Sequence, residues 1–254
     1  MSAPMSEATP PKSRGGQPAP EVVDAKLEET GVDRWVANLR TIVAAVVLTI
    51  LIRIVVIELF HIEGSSMQPT LLNGDRIVVA KYPYGLFLPG MDHAVWTWGH
   101  PNVGDIVIVH SPMDNVDIVK RVVGLPGDVI AYRDGELFRN GVLQRTNEVG
   151  DCEPAQEEHP QWDCAVYRET LDGKPHLISH SREDDPDRDL SMPVTVPPGH
   201  IFVMGDHRDM SNDSRNIGPI PYSRVKGHAL FVFTSFSDAG GVRWGRFFEG
   251  LESR

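Results

Sequence analysis

The sequence predicts a mainly β fold, an antiparallel barrel or sandwich with an inserted cap, preceded by one transmembrane helix. Residues 41–60 read TIVAAVVLTILIRIVVIELF, a run whose only charges are Arg53 and Glu58, about as long as a helix that crosses a hydrocarbon core. Beyond residue 60 the chain breaks into short apolar runs divided by Pro and Gly turns. The long amphipathic helices that a parallel βαβ sheet needs are missing from that stretch.

Residues 1–20, MSAPMSEATPPKSRGGQPAP, carry no hydrophobic period. Such a segment buries too little surface to offset its ordering entropy and is expected to be a disordered tail. Residues 21–38 mix charges with Val, Leu and Trp35 and suit a short amphipathic helix; with the tail they make an expected cytoplasmic segment, 1–38. The transmembrane helix follows at 39–60. Arg53 is costly in mid-span but can snorkel toward the outer interface near Glu58. A buried soluble helix would usually show a polar face, and a cleaved signal peptide would have a shorter apolar core nearer the start. Lys26, Arg34 and Arg40 lie in residues 21–40, against Arg76 alone in 61–80. This asymmetry keeps the tail in the cytoplasm and places residues 61–254 outside the cell membrane.

The expected strands are DRIVVAKY (75–82), GDIVIVH (104–110), DIVKRVV (117–123), DVIAYR (128–133), ELFRNGVLQ (136–144), HIFVMG (200–205) and ALFVFTSF (229–236). Asp134-Gly135 is a hairpin signal. Residues 145–198 differ: acidic, Pro-rich and weakly periodic, they read as an inserted cap. Within them REDDPDRD (182–189) could suggest calcium, but it lacks the glycine and terminal Glu of an EF-hand loop, and a solvated acidic loop is the simpler reading.

Both cysteines, Cys152 and Cys164, lie in this insertion, without further Cys or His at zinc-ligand spacing. A disulfide in an oxidising compartment is the favoured reading, and the outward placement of the domain supports it; two free thiols in a reducing compartment are the alternative. The formal net charge of −11 removes the electrostatic footprint that nucleic-acid binding needs.

Three segments could carry chemistry. GSSMQPTLLNGD (64–75) opens just past the apolar run, with serines followed by an apolar residue and a Pro turn. VKRVVGLPGD (119–128) sets Lys120 among Val119, Val122 and Val123, and MGDHRDMSNDSR (204–215) is dense in Asp, Ser and Arg. A hydroxyl is a poor nucleophile until a base takes its proton, and a lysine can be that base only where its surroundings favour the neutral amine. An apolar strand does this for Lys120 by desolvation, while Arg121 points to the opposite face and can stay solvated or ion-paired. Each segment alone has a bland explanation: a serine in a turn, a lysine on the solvated side of a strand, a charged loop capped by its own side chains. Their order, behind a single apolar helix, makes the combination specific.

These segments resemble the signature boxes of type I signal peptidases, which share a Ser-Lys dyad on an antiparallel β fold. The likeness runs from the membrane helix to about residue 222 and includes GSSMQPTLL, the strand VGDIVIV (103–109), VKRVVGLPGD and MGDHRDMSNDSR. It implies that Ser66 attacks the scissile carbonyl, that Lys120 is the general base and that Ser211 orients its amine. It also implies supporting pairs, Asp213 with Arg215 and Asp206 with Arg121.

The Ser66 backbone N–H would donate to the oxyanion. Part of the family carries a serine two residues before the nucleophile as second donor; that position is Gly64 here, so a group of Gly64 or Ser65 must substitute. His207 and Met210 stand where asparagines are more usual, and His207 raises the competing thought of a triad. An extended substrate would pair with strand edges near Ile62 and Ile118, over shallow pockets lined by Ile62, Met67, Leu71, Ile118 and Val119. The expected reaction is removal of signal peptides after small residues at −1 and −3. Signal peptides of secreted preproteins and the lipid bilayer are the implied partners, with no cofactor, metal or nucleic acid, for a monomeric chain. Self-cleaving Ser-Lys peptidases like the SOS-response repressors share dyad and core fold, but carry a DNA-binding domain where this chain has its apolar helix. A silent scaffold would lack the dyad.

Overall fold

The computed structural model describes residues 31–87, 90–144, 146–152, 163–182, 189–237 and 240–251. The expected disordered tail and the start of the amphipathic segment lie outside the described residues, as does most of the acidic run 182–189. One helix, Gly31–Val55, crosses the division between the chain's two compact units, Met1–Ala45 and Val46–Arg254.

The expected helix over 39–60 is corrected at its C-terminal end. One helix runs from Gly31, within the expected amphipathic segment, to Val55 and stops there because Ile57–His61 is a strand. That strand pairs antiparallel with Asp75–Ala80, Ile57 opposite Ala80 and His61 opposite Arg76. Its backbone groups are thus satisfied by a neighbouring strand, and Phe60 packs against the core while Ile57 and Leu59 face out. Among the described residues no helix is long and apolar enough to cross a membrane.

The main sheet is antiparallel throughout and has eight strands. Its order is Ile57–His61, Asp75–Ala80, Val225–Ser235, Ile106–His110, Asp117–Gly124, His200–Met204 and Ile220–Pro221, with Glu249–Gly250 added to the long Val225–Ser235 strand. The expected mainly β, antiparallel architecture is therefore what the chain adopts. Ile106–His110 shows why the sheet holds: its unbroken apolar run is covered on both faces. Ile106 and Ile108 enter one core cluster with Ile62, Met67, Leu71 and Ile77; Val107 and Val109 enter another with Val122, Ile201 and Val225.

Residues 136–144, expected as one strand, form a tight hairpin. Glu136–Arg139 turns back to Val142–Leu143 through Asn140 and Gly141, both at positive φ. The Asp134-Gly135 hairpin is present as expected.

The insertion is more ordered in pattern than its sequence suggests. Thr146–Asp151, Cys164–Leu171 and Lys174–Ser181 form a three-stranded meander turning at Asp172 and Gly173. Cys152 and Cys164 are joined as a disulfide with Cα atoms 5.5 Å apart. Toward the end of the insertion, Val194–Thr195 pairs with Val129–Ile130 and belongs to a separate four-stranded sheet.

Candidate active site

The segment after Ile62 leaves the sheet edge and returns to it at Asp75. Gly64, at φ +86, starts the excursion and donates its N–H to the Asn73 side chain. The turns Gln68 N–H to Ser65 carbonyl and Leu71 N–H to Met67 carbonyl, both 2.9 Å, then hold Ser66 at a bend where it is half-buried. Its carbonyl accepts the His207 N–H at 3.1 Å.

Lys120 approaches from the Asp117–Gly124 strand. Alternation puts it on the face of Ile118 and Val122, with Arg121 on the other. Its Nζ lies 2.7 Å from the Ser66 Oγ, and the residue is 3 % exposed. Burial pushes the amine down strongly; Asp213 and Asp206 pull it partly back up, Arg215 lowers it, and the result is about 8.

Two buried carboxylates flank the pair. Asp206 receives Arg121 in a bidentate grip, Nε at 2.8 Å and Nη2 at 2.7 Å, and also the Thr70 hydroxyl. Asp213 receives Arg215 through Nε and Nη2, both at 2.9 Å, and the Gly205 N–H at 2.9 Å, while capping the short helix Ser214–Ile217. For each, burial raises the carboxyl and the guanidinium outweighs it, leaving it below the usual carboxylate range. Ser211, 2 % exposed, contributes to the low value of Asp213. Among the described residues no hydrogen bond joins Ser211 to Lys120. His207 accepts the Met210 N–H on Nδ1, and the group that meets the Ser66 hydroxyl is the Lys120 amine.

Gly205 fits between these parts. A Cβ there would come within 2.3 Å of the Ser211 Oγ and 2.4 Å of the Ser66 carbonyl oxygen. Sequence reasoning passed over Gly205, and also Thr70, whose hydroxyl completes the Asp206 site.

A cleft of about 190 Å3 opens at the pair, lined by Phe60, Ile62, Met67, Ile118 and Val119 together with Ser66 and Lys120, and by His61, Glu63 and Asp117. Leu71, expected among the pocket residues, is fully buried in the core cluster and does not line the cleft. Two strand edges border it. Ile57–His61 is the last strand of the sheet, and the Asp117–Gly124 strand pairs with His200–Met204 only from Arg121 onward.

A half-buried hydroxyl thus stands against a buried amine, beside a cleft of mixed polar and apolar lining that two open strand edges border. Residues 34–234 match the family described as signal peptidase, peptidase S26. The chain belongs to that family. Signal peptidase I of Pseudomonas aeruginosa is 36 % identical over 206 residues, spanning 75 % of this chain and 69 % of its own. That of Bacillus licheniformis is 36 % identical over 205 residues, 80 % of this chain and 89 % of the relative. The probable signal peptidase I-1 of Synechocystis is 33 % identical over 221 residues, with coverages of 82 % and 85 %. A crystal structure of a signal peptidase I from Enterococcus faecalis is 27 % identical, covers 52 % of this chain and 98 % of its own, and superposes with a TM-score of 0.31. As a member of the family this chain is a signal peptidase, a serine peptidase of the hydrolase class.

Proposed function

We propose that Ser66 and Lys120 form the catalytic dyad with which the chain, anchored in the cytoplasmic membrane, cleaves preproteins on its outer face. The observation that carries this reading is the 2.7 Å contact between Nζ and Oγ, made by an amine lowered to about 8. In its neutral form the amine takes the hydroxyl proton as Oγ attacks the scissile carbonyl. The tetrahedral intermediate collapses to an ester on Ser66, and Lys120 returns the proton to the departing amine of the mature protein. Water, deprotonated by the same amine, then hydrolyses the ester and releases the signal peptide.

The developing oxyanion would be met by the Ser66 backbone N–H and a group of Ser65, since the Gly64 N–H, the other expected donor, is taken by the Asn73 side chain; a donor of this kind contributes about 3 kcal/mol. Arg121, Asp206, Asp213 and Arg215 hold the surroundings, and Ser211 lies buried beside Asp213. An extended substrate adds between the edges of Ile57–His61 and Asp117–Lys120, its alternate side chains facing Ile62, Met67, Ile118 and Val119. The small volume of the cleft, about 190 Å3, favours small residues at −1 and −3. The apolar part of the helix, residues 41–55, with its basic flank at Lys26, Arg34 and Arg40, supports membrane attachment with the sheet that begins at Ile57 outside.

The test is to incubate the detergent-solubilised protein with a preprotein carrying an Ala-x-Ala site and sequence the new N-terminus. Cleavage immediately after the second Ala by wild type, lost in Ser66→Ala, supports the assignment. Cleavage elsewhere refutes the specificity, and cleavage by Ser66→Ala refutes the nucleophile.

A further inference from the structure

The meander of the insertion turns polar groups inward where a strand of a packed sheet would ordinarily carry apolar ones. Glu169 and Ser179 are completely buried, alongside Ala165, Leu171 and Ile178. A buried carboxylate persists only when paired and fully hydrogen-bonded. Glu169 meets this condition with a residue far away in sequence, Arg208 of the terminal box. Nη1 and Nη2 of Arg208 donate to its two carboxylate oxygens at 2.9 and 2.6 Å.

Ser179 joins the same loop through its backbone. Its N–H donates to the Asp206 carbonyl and its carbonyl accepts the Arg208 N–H, both at 2.9 Å. Its hydroxyl donates to the Gln68 carbonyl at 3.0 Å, two residues past Ser66. One side chain therefore ties the meander to the nucleophile segment, and its backbone ties it to the terminal box. Arg208 also donates Nε to the Gly205 carbonyl at 3.2 Å, and its own carbonyl accepts Arg215 Nη2 at 2.6 Å. Between Asp206 and Arg208 lies His207, whose N–H holds the Ser66 carbonyl.

We infer that Glu169 and Ser179 are positioning residues for the nucleophile, so that the insertion is part of the catalytic framework as well as a cap; the inference rests on Ser66 being the nucleophile. They touch neither Ser66 Oγ nor Lys120. They fix the loop 205–208 and the Gln68 backbone, and so the direction in which Oγ leaves Ser66. Misplacement of about 1 Å at a reacting group costs on the order of a hundredfold in rate, while apolar side-chain pockets such as that at Ile118 and Val119 would be left intact.

The experiment measures kcat and KM for a signal-peptide substrate with the full chain in detergent, for wild type, Glu169→Gln, Ser179→Ala, Arg182→Ala and Ser66→Ala. Rates are expressed per folded molecule from unfolding curves at the assay temperature. Arg182→Ala is the control. It removes a solvent-facing contact of the same meander, the ion pairs of Arg182 with Glu148, Asp151 and Asp163, and should keep the wild-type kcat.

Glu169→Gln should lose roughly 10- to 100-fold in kcat and Ser179→Ala about fivefold, with KM within about twofold of wild type. If Glu169→Gln does not fold, Ser179→Ala decides, since it deletes only a hydroxyl. A kcat within twofold of wild type in the folded variants, a loss confined to KM, or an equal loss in Arg182→Ala would overturn the inference. Full activity in Ser66→Ala would instead remove the nucleophile assignment on which it stands.

Discussion

The carbonyl oxygen of Ser66 accepts the backbone N–H of His207 at 3.1 Å, so the main chain of Ser66 is fastened to the loop that carries Asp206 and Asp213. This contact requires Gly205 to lie flat against Ser66, with no room for a side chain. Gly205→Ala should displace Ser66 from Lys120. Overpacking of this kind costs about 1–3 kcal/mol, and the displacement should lower kcat on the order of a hundredfold. Thermal unfolding and cleavage kinetics on the same preparation check both, and an unchanged kcat would show that the close approach has no catalytic consequence.

Asp206→Asn keeps the shape of the side chain and leaves Arg121 buried without its counter-charge. Breaking a buried pair in this way costs about 3–5 kcal/mol, measurable by urea unfolding. Asp206 also raises the Lys120 amine, so its loss should shift the rising limb of the pH–rate profile to lower pH in whatever fraction stays folded.

Acid should weaken the fold through three carboxylates. Burial pushes Glu169 up, but Arg208 and His176 outweigh it and hold it down to about 2; Asp206 and Asp213 are likewise below their ordinary values. Groups lowered in the folded state stabilise it above their unfolded pKa, about 4, and lose that contribution as pH falls through the folded value. Unfolding free energy should therefore drop below about pH 4, and Glu169→Gln should flatten part of that drop. A profile identical to wild type would contradict the assignment of Glu169 as an ionised buried partner.

Much of the sheet is legible from residue pattern. Ile106–His110 and Asp117–Gly124 combine β-branched runs with turn residues at their ends, and within the second the strand alternation separates Lys120 from Arg121. The helix end was not legible, because Ile57–Phe60 suits either a helix or a strand until Asp75–Ala80 supplies a partner. The meander was hidden for a related reason: Glu169, His176 and Ser179 occupy buried positions, so the alternation of apolar and polar residues that marks a half-buried strand is broken where it matters. Leu71 is apolar and close to Ser66 in sequence, which suits a pocket residue, yet the turn after Met67 directs it into the core. Gly205 leaves no trace in a single sequence, since its role is defined by atoms from Ser66 and Ser211.

The disulfide lies at the end of the meander opposite the Asp172-Gly173 turn, with the Cys152 N–H bonded to the Cys164 carbonyl at 3.2 Å. A loop of this length contributes about 3 kcal/mol in the chain-entropy model. Cys152→Ser should lower unfolding free energy by up to that amount and leave kcat per folded molecule unchanged, as tested by urea unfolding beside cleavage assays. A large fall in kcat would place the disulfide within the catalytic framework.

The pH dependence of kcat/KM for a signal-peptide substrate tests most directly whether Lys120 is the base of the dyad. Burial lowers its amine to about 8, and only the neutral form accepts a proton, so activity should rise with pH along a limb centred near that value. Lys120→Arg should be inactive across the range, because a guanidinium keeps its proton. A limb centred near the ordinary histidine value of about 6.5, or turnover by Lys120→Arg approaching that of wild type, would contradict the Ser66–Lys120 mechanism.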